Sequence, residues 1–227
     1  MDFFVFPHCK AAEKKLSQIS DCGRLFAYPA VPLRQNCRMT ILDSGAYGLS
    51  QGKRNMGKNY FLKLSEHYEK YSTEKTLCVA PDVVCDPQKT MRNFALWKKM
   101  GLFSRISPVV QPAGKHDLSI ELHKYQIDHY VDLYGTKVIF LSNWLPAKMA
   151  IGLGIQRVVD HARKRGVEYI HVLGAGWSMD DVLLWDTVRG VNSCDSIAYY
   201  TAGSDVRFGS SDPAENAWRI LCALRKQ

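Results

Sequence analysis

Three aspartates, a glutamine and a tyrosine stand where short apolar runs of this chain give way to polar or glycine-rich turns. They are Asp43 and Tyr47 in Leu42-Asp43-Ser44-Gly45-Ala46-Tyr47, Asp82 after Ala80-Pro81, Gln111 after Val109-Val110, and Asp195 at the entrance of Ser196-Ile197-Ala198-Tyr199-Tyr200. Several carboxylates in one site can divide labour, one attacking an electrophilic carbon while another moves a proton. An amide can hydrogen-bond the edge of a planar ring, and a phenol can cover its face. The set suits recognition and displacement of a planar, hydrogen-bonding base, with Asp195 as the candidate nucleophile. Taken singly, an Asp before Ser-Gly or after Pro is also an ordinary turn former. What raises these residues above that reading is where the surrounding elements would bring them.

The elements follow one grammar, an apolar run, a turn, then a segment with helical spacing. Strands are expected at Phe3 to Phe6, Arg24 to Tyr28, Met39 to Leu42, Thr76 to Ala80, Ile106 to Val110, Lys137 to Leu141, Glu168 to Leu173 and Ser196 to Tyr200. Helices are expected at Ala11 to Ile19, Lys58 to Tyr71, Lys89 to Met100, from Asp117 as cap to Gly135 as stop, at Ile155 to Lys164, from a Ser178/Asp181 capping box through Val188, and at Ala214 to Leu224. Strand and helix alternating eight times predict an α/β fold, a single (β/α)8 TIM barrel over residues 1–227. Several strands are continuous apolar runs, as when both faces are buried. In such a barrel the residues just past the strand ends gather at one mouth, where chemistry sits. Here these are Asp43, Tyr47, Asp82, Gln111, Ser142, Asn143, Gly174, Gly176 and Asp195.

The bulk composition agrees with one large core, since 46% of the 227 residues are hydrophobic. No apolar run reaches the roughly 18 residues a membrane span needs, and the start Met-Asp-Phe-Phe-Val-Phe-Pro-His is unlike a signal peptide, so a cytoplasmic protein is expected. Seven scattered cysteines without a Cys-x-x-Cys pair indicate neither a disulfide framework nor a zinc knuckle. The net charge of +8 favours a polyanionic partner through counterion release. Lys53, Arg54 and Lys58 follow the Asp43 turn and would project from the mouth toward phosphates, and Arg207 follows the last strand in the same sense. His171 lies in an apolar strand and reads as a core histidine. Trp144 and Trp177 read as packing or rim residues.

In register on these strands, the motifs resemble those of the tRNA-guanine transglycosylase superfamily. Asp43-Ser44-Gly45-Ala46-Tyr47 resembles its Asp-Ser-Gly-Gly-aromatic turn, Val109-Val110-Gln111 its Val-Gln-Gly strand end, and Leu173-Gly174-Ala175-Gly176-Trp177-Ser178-Met179-Asp180-Asp181 its Met-Gly-Val-Gly-Thr-Pro-Glu-Asp segment. Asp195-Ser196 stands where the family has its nucleophilic Asp-Cys. The resemblance implies that Asp195 attacks the anomeric carbon of a guanosine unit and that Asp43 handles the proton on the departing or incoming base. Asp82 and Gln111 would bind the base edge, and Tyr47 and Leu173 would sandwich its faces. Ser44, Ser142, Asn143 and Gly174 would complete the base-binding set.

Two departures narrow the resemblance. Ala46 and Gly48 replace the second glycine and the glutamine of the turn, and the family's Cys-x-Cys-x-x-Cys zinc site with its histidine is missing, as is an appended RNA-binding domain. A barrel so reduced looks most like the deazapurine-in-DNA transglycosylases of phages and genomic islands. These exchange guanine in DNA for a 7-deazaguanine such as 7-cyano-7-deazaguanine. The implied partners are DNA and a 7-deazaguanine base, with a helper protein to open the duplex and a homodimer also compatible, and no cofactor, metal or membrane. Two alternatives stay open, the same exchange on tRNA and a non-catalytic nucleic-acid-binding subunit.

Overall fold

The computed structural model describes residues 1–5, 22–32, 37–50, 58–143, 145–176, 178–196 and 208–225. In chain order these form β1 (Asp2–Val5), β2 (Gly23–Ala27), β3 (Thr40–Asp43), α1 (Ala46–Ser50), α2 (Lys58–Tyr71), β4 (Thr76–Val79), α3 (Pro87–Lys99), β5 (Ile106–Ser107), β6 (Val109–Val110), α4 (Ile120–Tyr134), β7 (Val138–Ser142), α5 (Ala147–Gly152), α6 (Ile155–Lys164), β8 (Tyr169–Leu173), α7 (Met179–Asp186), β9 (Ser193–Asp195) and α8 (Pro213–Arg225). The strands are all parallel, in the order β5-β4-β3-β2-β1-β9-β8-β7-β6.

The two ends of that order are halves of one extended segment, interrupted at Pro108. The carbonyl of Ser107 accepts from the Ala80 amide on the β4 side at 2.9 Å, and the carbonyl of Pro108 accepts from Phe140 of β7 at 3.0 Å. Proline has no N–H to give a neighbouring strand, so the ladder changes partner there. The segment thereby bridges β4 and β7, and the sheet forms the expected α/β barrel with eight strands in its ring. Among the described residues no helix is long and apolar enough to cross a membrane.

Alternation along the strands sorts the core. Phe4, Leu25, Ile41, Val79, Val109 and Phe140, from six different strands, form a cluster inside the barrel. Their sequence neighbours Phe3, Leu42, Cys78, Val110, Ile139 and Leu141 belong to the larger layer between barrel and helices. Helix side chains tie that layer to the strands: Tyr68 of α2 donates to the Val79 carbonyl at 2.6 Å and Tyr130 of α4 to that of Val109 at 3.2 Å. The phenols are thus satisfied while their rings are buried, each ring contributing roughly 1.5–3 kcal/mol by its removal from water.

The helix signals are mostly where the sequence puts them. Asp86 caps α3 through the Lys89 amide with Pro87 in the first turn, and Gly135, at φ 61°, stops α4. Ser178 accepts from the Asp181 amide as expected. The cap of α4, however, is Ser119 rather than Asp117, because its hydroxyl is the one that reaches the Leu122 amide, at 3.3 Å. The short helices α1 and α5 were not foreseen, and the expected helix at Ala11 to Ile19 lies outside the described residues.

One difference bears on function. The last strand among the described residues already contains Asp195, which the sequence places ahead of a strand: Ser193, Cys194 and Asp195 pair with Asp2, Phe3 and Phe4 of β1, and Ser193 and Cys194 with His171 and Val172 of β8. Two neighbours fix this register. Residues 197–200 of the expected strand lie outside the described part.

Candidate active site

Since side chains alternate, the last inward residue of each strand marks the floor of the mouth. Two residues beyond the inward Ile41 comes Asp43, and two beyond Val109 comes Gln111. Two beyond Phe140 comes Ser142, and two beyond His171 comes Leu173. With Asp195 two beyond Ser193, five of the predicted residues form one layer at the C-terminal end of the barrel. Asp82 enters from the loop after β4 and is 5% exposed.

On the β3–β4 side the groups form a closed hydrogen-bonded set. Ser44 donates to Asp82 Oδ1 at 2.8 Å and Gln111 Nε2 to Asp82 Oδ2 at 2.7 Å. Gln111 Oε1 accepts from the Cys85 amide at 3.2 Å, which orients the glutamine amide with its nitrogen toward Asp82. The Gln111 backbone is gripped by Gln126 of α4, whose Oε1 accepts from Gln111 N at 3.0 Å and whose Nε2 donates to Gln111 O at 2.9 Å. Asp82 keeps lone pairs and Gln111 one N–H for an incoming ring edge.

Asp43 accepts at Oδ2 from the Gly45 amide, at 2.9 Å. Gly45 has φ 78°, and a Cβ there would lie 2.7 Å from the Tyr28 carbonyl oxygen, so the turn that offers this amide needs glycine. Tyr60 of α2 donates to the Ser44 carbonyl and braces the same turn. Burial, then the charge of Asp82, pushes the Asp43 carboxyl up to about 7. Burial alone pushes Asp82 up to about 6, against the pull of the Ser44 and Gln111 donors. Asp43 is therefore poised to give and take a proton near neutrality.

Across the mouth, Asp195 is held differently. His171 Nε2 lies 2.9 Å from Asp195 Oδ1, and the Gly174 amide donates to the same oxygen at 3.3 Å. The Asp195 backbone carbonyl accepts from Ala175 N at 2.6 Å, and Ser196 donates to the Gly176 carbonyl at 2.6 Å. The Gly-Ala-Gly turn after β8 is thus sewn to the end of β9.

The other predicted residues divide. Tyr47, on α1, is 51% exposed and Leu173 half-buried, both at the mouth. The Ser44 hydroxyl serves Asp82. Asn143 spends its side chain on its own loop and on the turn after β8, donating to the carbonyls of Leu145 at 2.9 Å and Gly174 at 3.2 Å and accepting from Leu145 N. Lys53, Arg54, Arg207, Trp144 and Trp177 lie outside the described residues, as does the side chain of Lys58, the first residue of α2.

Four contributors were missed in the sequence. His171 was read as core; it is fully buried, yet its ring touches a carboxylate. The signal was available, because His171 lies two residues before Leu173 and so points inward. Ser193 is its partner. Gln126 is a polar residue fully buried on a helix. Cys85 adopts φ 56°, rare for a residue with a side chain, and that turn presents its amide to Gln111.

Among the described residues no group of three or more His, Cys, Asp or Glu side chains could hold a metal ion. No family model matches the sequence, and no curated protein matches it.

Proposed function

We propose that the protein is a DNA-guanine transglycosylase, which exchanges guanine in DNA for a 7-deazaguanine base through a covalent aspartyl-glycosyl intermediate. The observation that carries the reading is the division of roles among three carboxyls at one barrel mouth. Asp195 is anchored through one oxygen, Asp43 is pushed up to about 7, and Asp82 is paired with an oriented Gln111 amide.

In the first half-reaction a lone pair of the Asp195 carboxylate forms a bond to C1′ of the nucleotide. The bond from C1′ to the base nitrogen breaks, its electron pair leaves with guanine, and Asp43 supplies the proton. In the second, a ring nitrogen of the incoming base attacks C1′, the bond to Asp195 breaks, its electron pair returns to the carboxylate, and the ring proton passes to Asp43. The glycosidic bond is exchanged rather than hydrolysed, so no energy source is consumed. A base in a duplex must leave its stack to reach the pocket, where Asp82 and Gln111 bind its edge and Tyr47 and Leu173 lie beside its faces. The net charge of +8 suits a polyanion. The choice of DNA over tRNA follows the resemblance to the DNA-modifying transglycosylases.

The test gives the protein radiolabelled guanine with duplex DNA, single-stranded DNA or unmodified tRNA and counts label in the precipitated polymer. Label in DNA is expected. Label in tRNA alone would move the substrate while keeping the chemistry, and label in none would overturn the reading.

A further inference from the structure

The hydrogen bonds around Asp195 reach further than the carboxylate itself. His171 Nδ1 lies 2.8 Å from Ser193 Oγ, and Ser193 Oγ lies 2.8 Å from the Tyr169 hydroxyl. The imidazole is packed between two aromatic rings, Phe4 at 5.2 Å and Phe140 at 5.5 Å between centroids, both edge-on or steeply tilted. It is fully buried and cannot swing away without opening the barrel interior.

The donor direction follows from one end. A carboxylate only accepts, so Nε2 carries the proton on the His171–Asp195 bond. Nδ1 faces the Ser193 hydroxyl, which also meets the Tyr169 hydroxyl and can donate or accept on either side. The carboxylate thus sets the donor at Nε2, and Ser193 anchors the far side of the ring, as an orienting partner does for a working histidine. Asp195 Oδ1 receives two donors, His171 Nε2 and Gly174 N. Among the described residues no hydrogen bond reaches Oδ2.

We infer that His171 is the positioning residue of the nucleophile: anchored by Ser193 and Tyr169, it holds Asp195 Oδ1 so that Oδ2 is the oxygen that bonds to C1′. The assignment rests on the transglycosylase reading for the identity of the reaction. The geometry it asserts is independent of that reading. Holding the attacking atom at the right distance and angle matters because a displacement of about 1 Å can cost roughly 10²-fold in rate. When the glycosyl–aspartate bond breaks, the returning electron pair is on Oδ2, and the His171 bond keeps the carboxylate from rotating between half-reactions.

Four variants and one spectroscopic measurement test this. His171→Leu removes the donor, whereas His171→Gln keeps an amide N–H able to reach Oδ1. Ser193→Ala removes the anchor at Nδ1 without touching Asp195. For base exchange into DNA, His171→Leu is expected to lower kcat about 10²-fold with KM for the polymer unchanged, and His171→Gln to recover most of it. Ser193→Ala is expected to lower kcat several-fold, less than the leucine variant. Equal kcat for the Leu and Gln variants would overturn the assignment, since core packing alone would then explain the site.

Nitrogen-15 NMR of the imidazole in the whole protein decides the geometry without turnover. The expected result is a proton on Nε2 whose resonance moves in Asp195→Asn, with the Nδ1 resonance the one that moves in Ser193→Ala. A ring without a proton on Nε2 in the wild type would overturn the inference even if exchange is observed. A wild-type protein that exchanges no base in DNA or tRNA would instead sink the functional reading, with the NMR result still deciding the His171 contact.

Discussion

The two sides of the barrel mouth hold their carboxyl groups by different means. Between β8 and β9, Asp195 is fixed in place by His171 and Gly174 on one oxygen, with the backbone of the following turn tied to its own carbonyl. Around β3 and β4, Asp43 and Asp82 are crowded together under burial, and both are pushed up, to about 7 and about 6. The first arrangement specifies where an atom is; the second specifies when a proton leaves. A double displacement needs both, a nucleophile that does not move and an acid that changes protonation state between half-reactions.

The largest effect is expected at Asp195. Asp195→Asn retains shape and leaves an amide oxygen that is a poor nucleophile, so base exchange should fall on the order of 10⁴-fold or more, while affinity for DNA stays close to that of the wild type. Mass spectrometry of the protein after incubation with substrate should find a glycosyl adduct on Asp195 in the wild type and none in the variant. Exchange that survives in Asp195→Asn and vanishes in Asp82→Asn would put the nucleophile on the other side of the mouth and dissolve the comparison.

Asp43→Asn comes next and reads out twice. Exchange should fall about 10²- to 10⁴-fold, the usual contribution of a positioned acid or base. Stability should move the other way. The Asp43 carboxyl is raised from an ordinary 3.8 to about 7, so the folded protein holds a proton that the unfolded chain has already lost over that interval. The contribution of this group to stability is therefore present below about 4 and declines as pH rises toward 7. Asn carries no such titration. Thermal melts should show the variant gaining on the wild type from pH 4 to pH 8, with the largest gain at the alkaline end. Asp82, raised through a narrower window, from 3.8 to about 6, remains in both proteins and contributes to the slope that is left. A gain that is flat across that range would mean that Asp43 is not a strained acid.

The barrel and most of its mouth were legible in the sequence because both follow from period-two patterning with a turn at its end. Asp43, Asp82 and Gln111 each directly follow or closely trail an apolar run, and a parallel barrel converts that local fact into a shared location. The strand β9 was not legible. Ser193-Cys194-Asp195 is a poor strand by propensity, and only its pairing with β1 and β8 makes it one. The His171 role was lost with it, since its partners Ser193 and Asp195 become inward neighbours only in that register. Gln126 was hidden for a similar reason, as its backbone partner is 15 residues away on another element.

The smallest effect, and the one that separates the two sides most cleanly, is expected at Gly45. Adding a methyl group there places Cβ 2.7 Å from the Tyr28 carbonyl in a backbone at φ 78° that an L side chain rarely adopts. The turn must shift or stay strained, at a cost of roughly 1–3 kcal/mol. A shifted turn takes the Gly45 amide away from Asp43 Oδ2 and disturbs the Ser44 hydroxyl on Asp82, yet Asp195, His171 and Gly174 lie on other strands. Gly45→Ala should therefore lower the melting temperature by a few degrees and slow exchange modestly. It should also raise the Asp43 titration further, since a hydrogen bond to the charged form is lost. The imidazole resonances of His171 should stay unchanged. If they moved as much as the Asp43 titration, the two sides would be one coupled unit, and position and protonation could no longer be assigned to separate parts of the mouth.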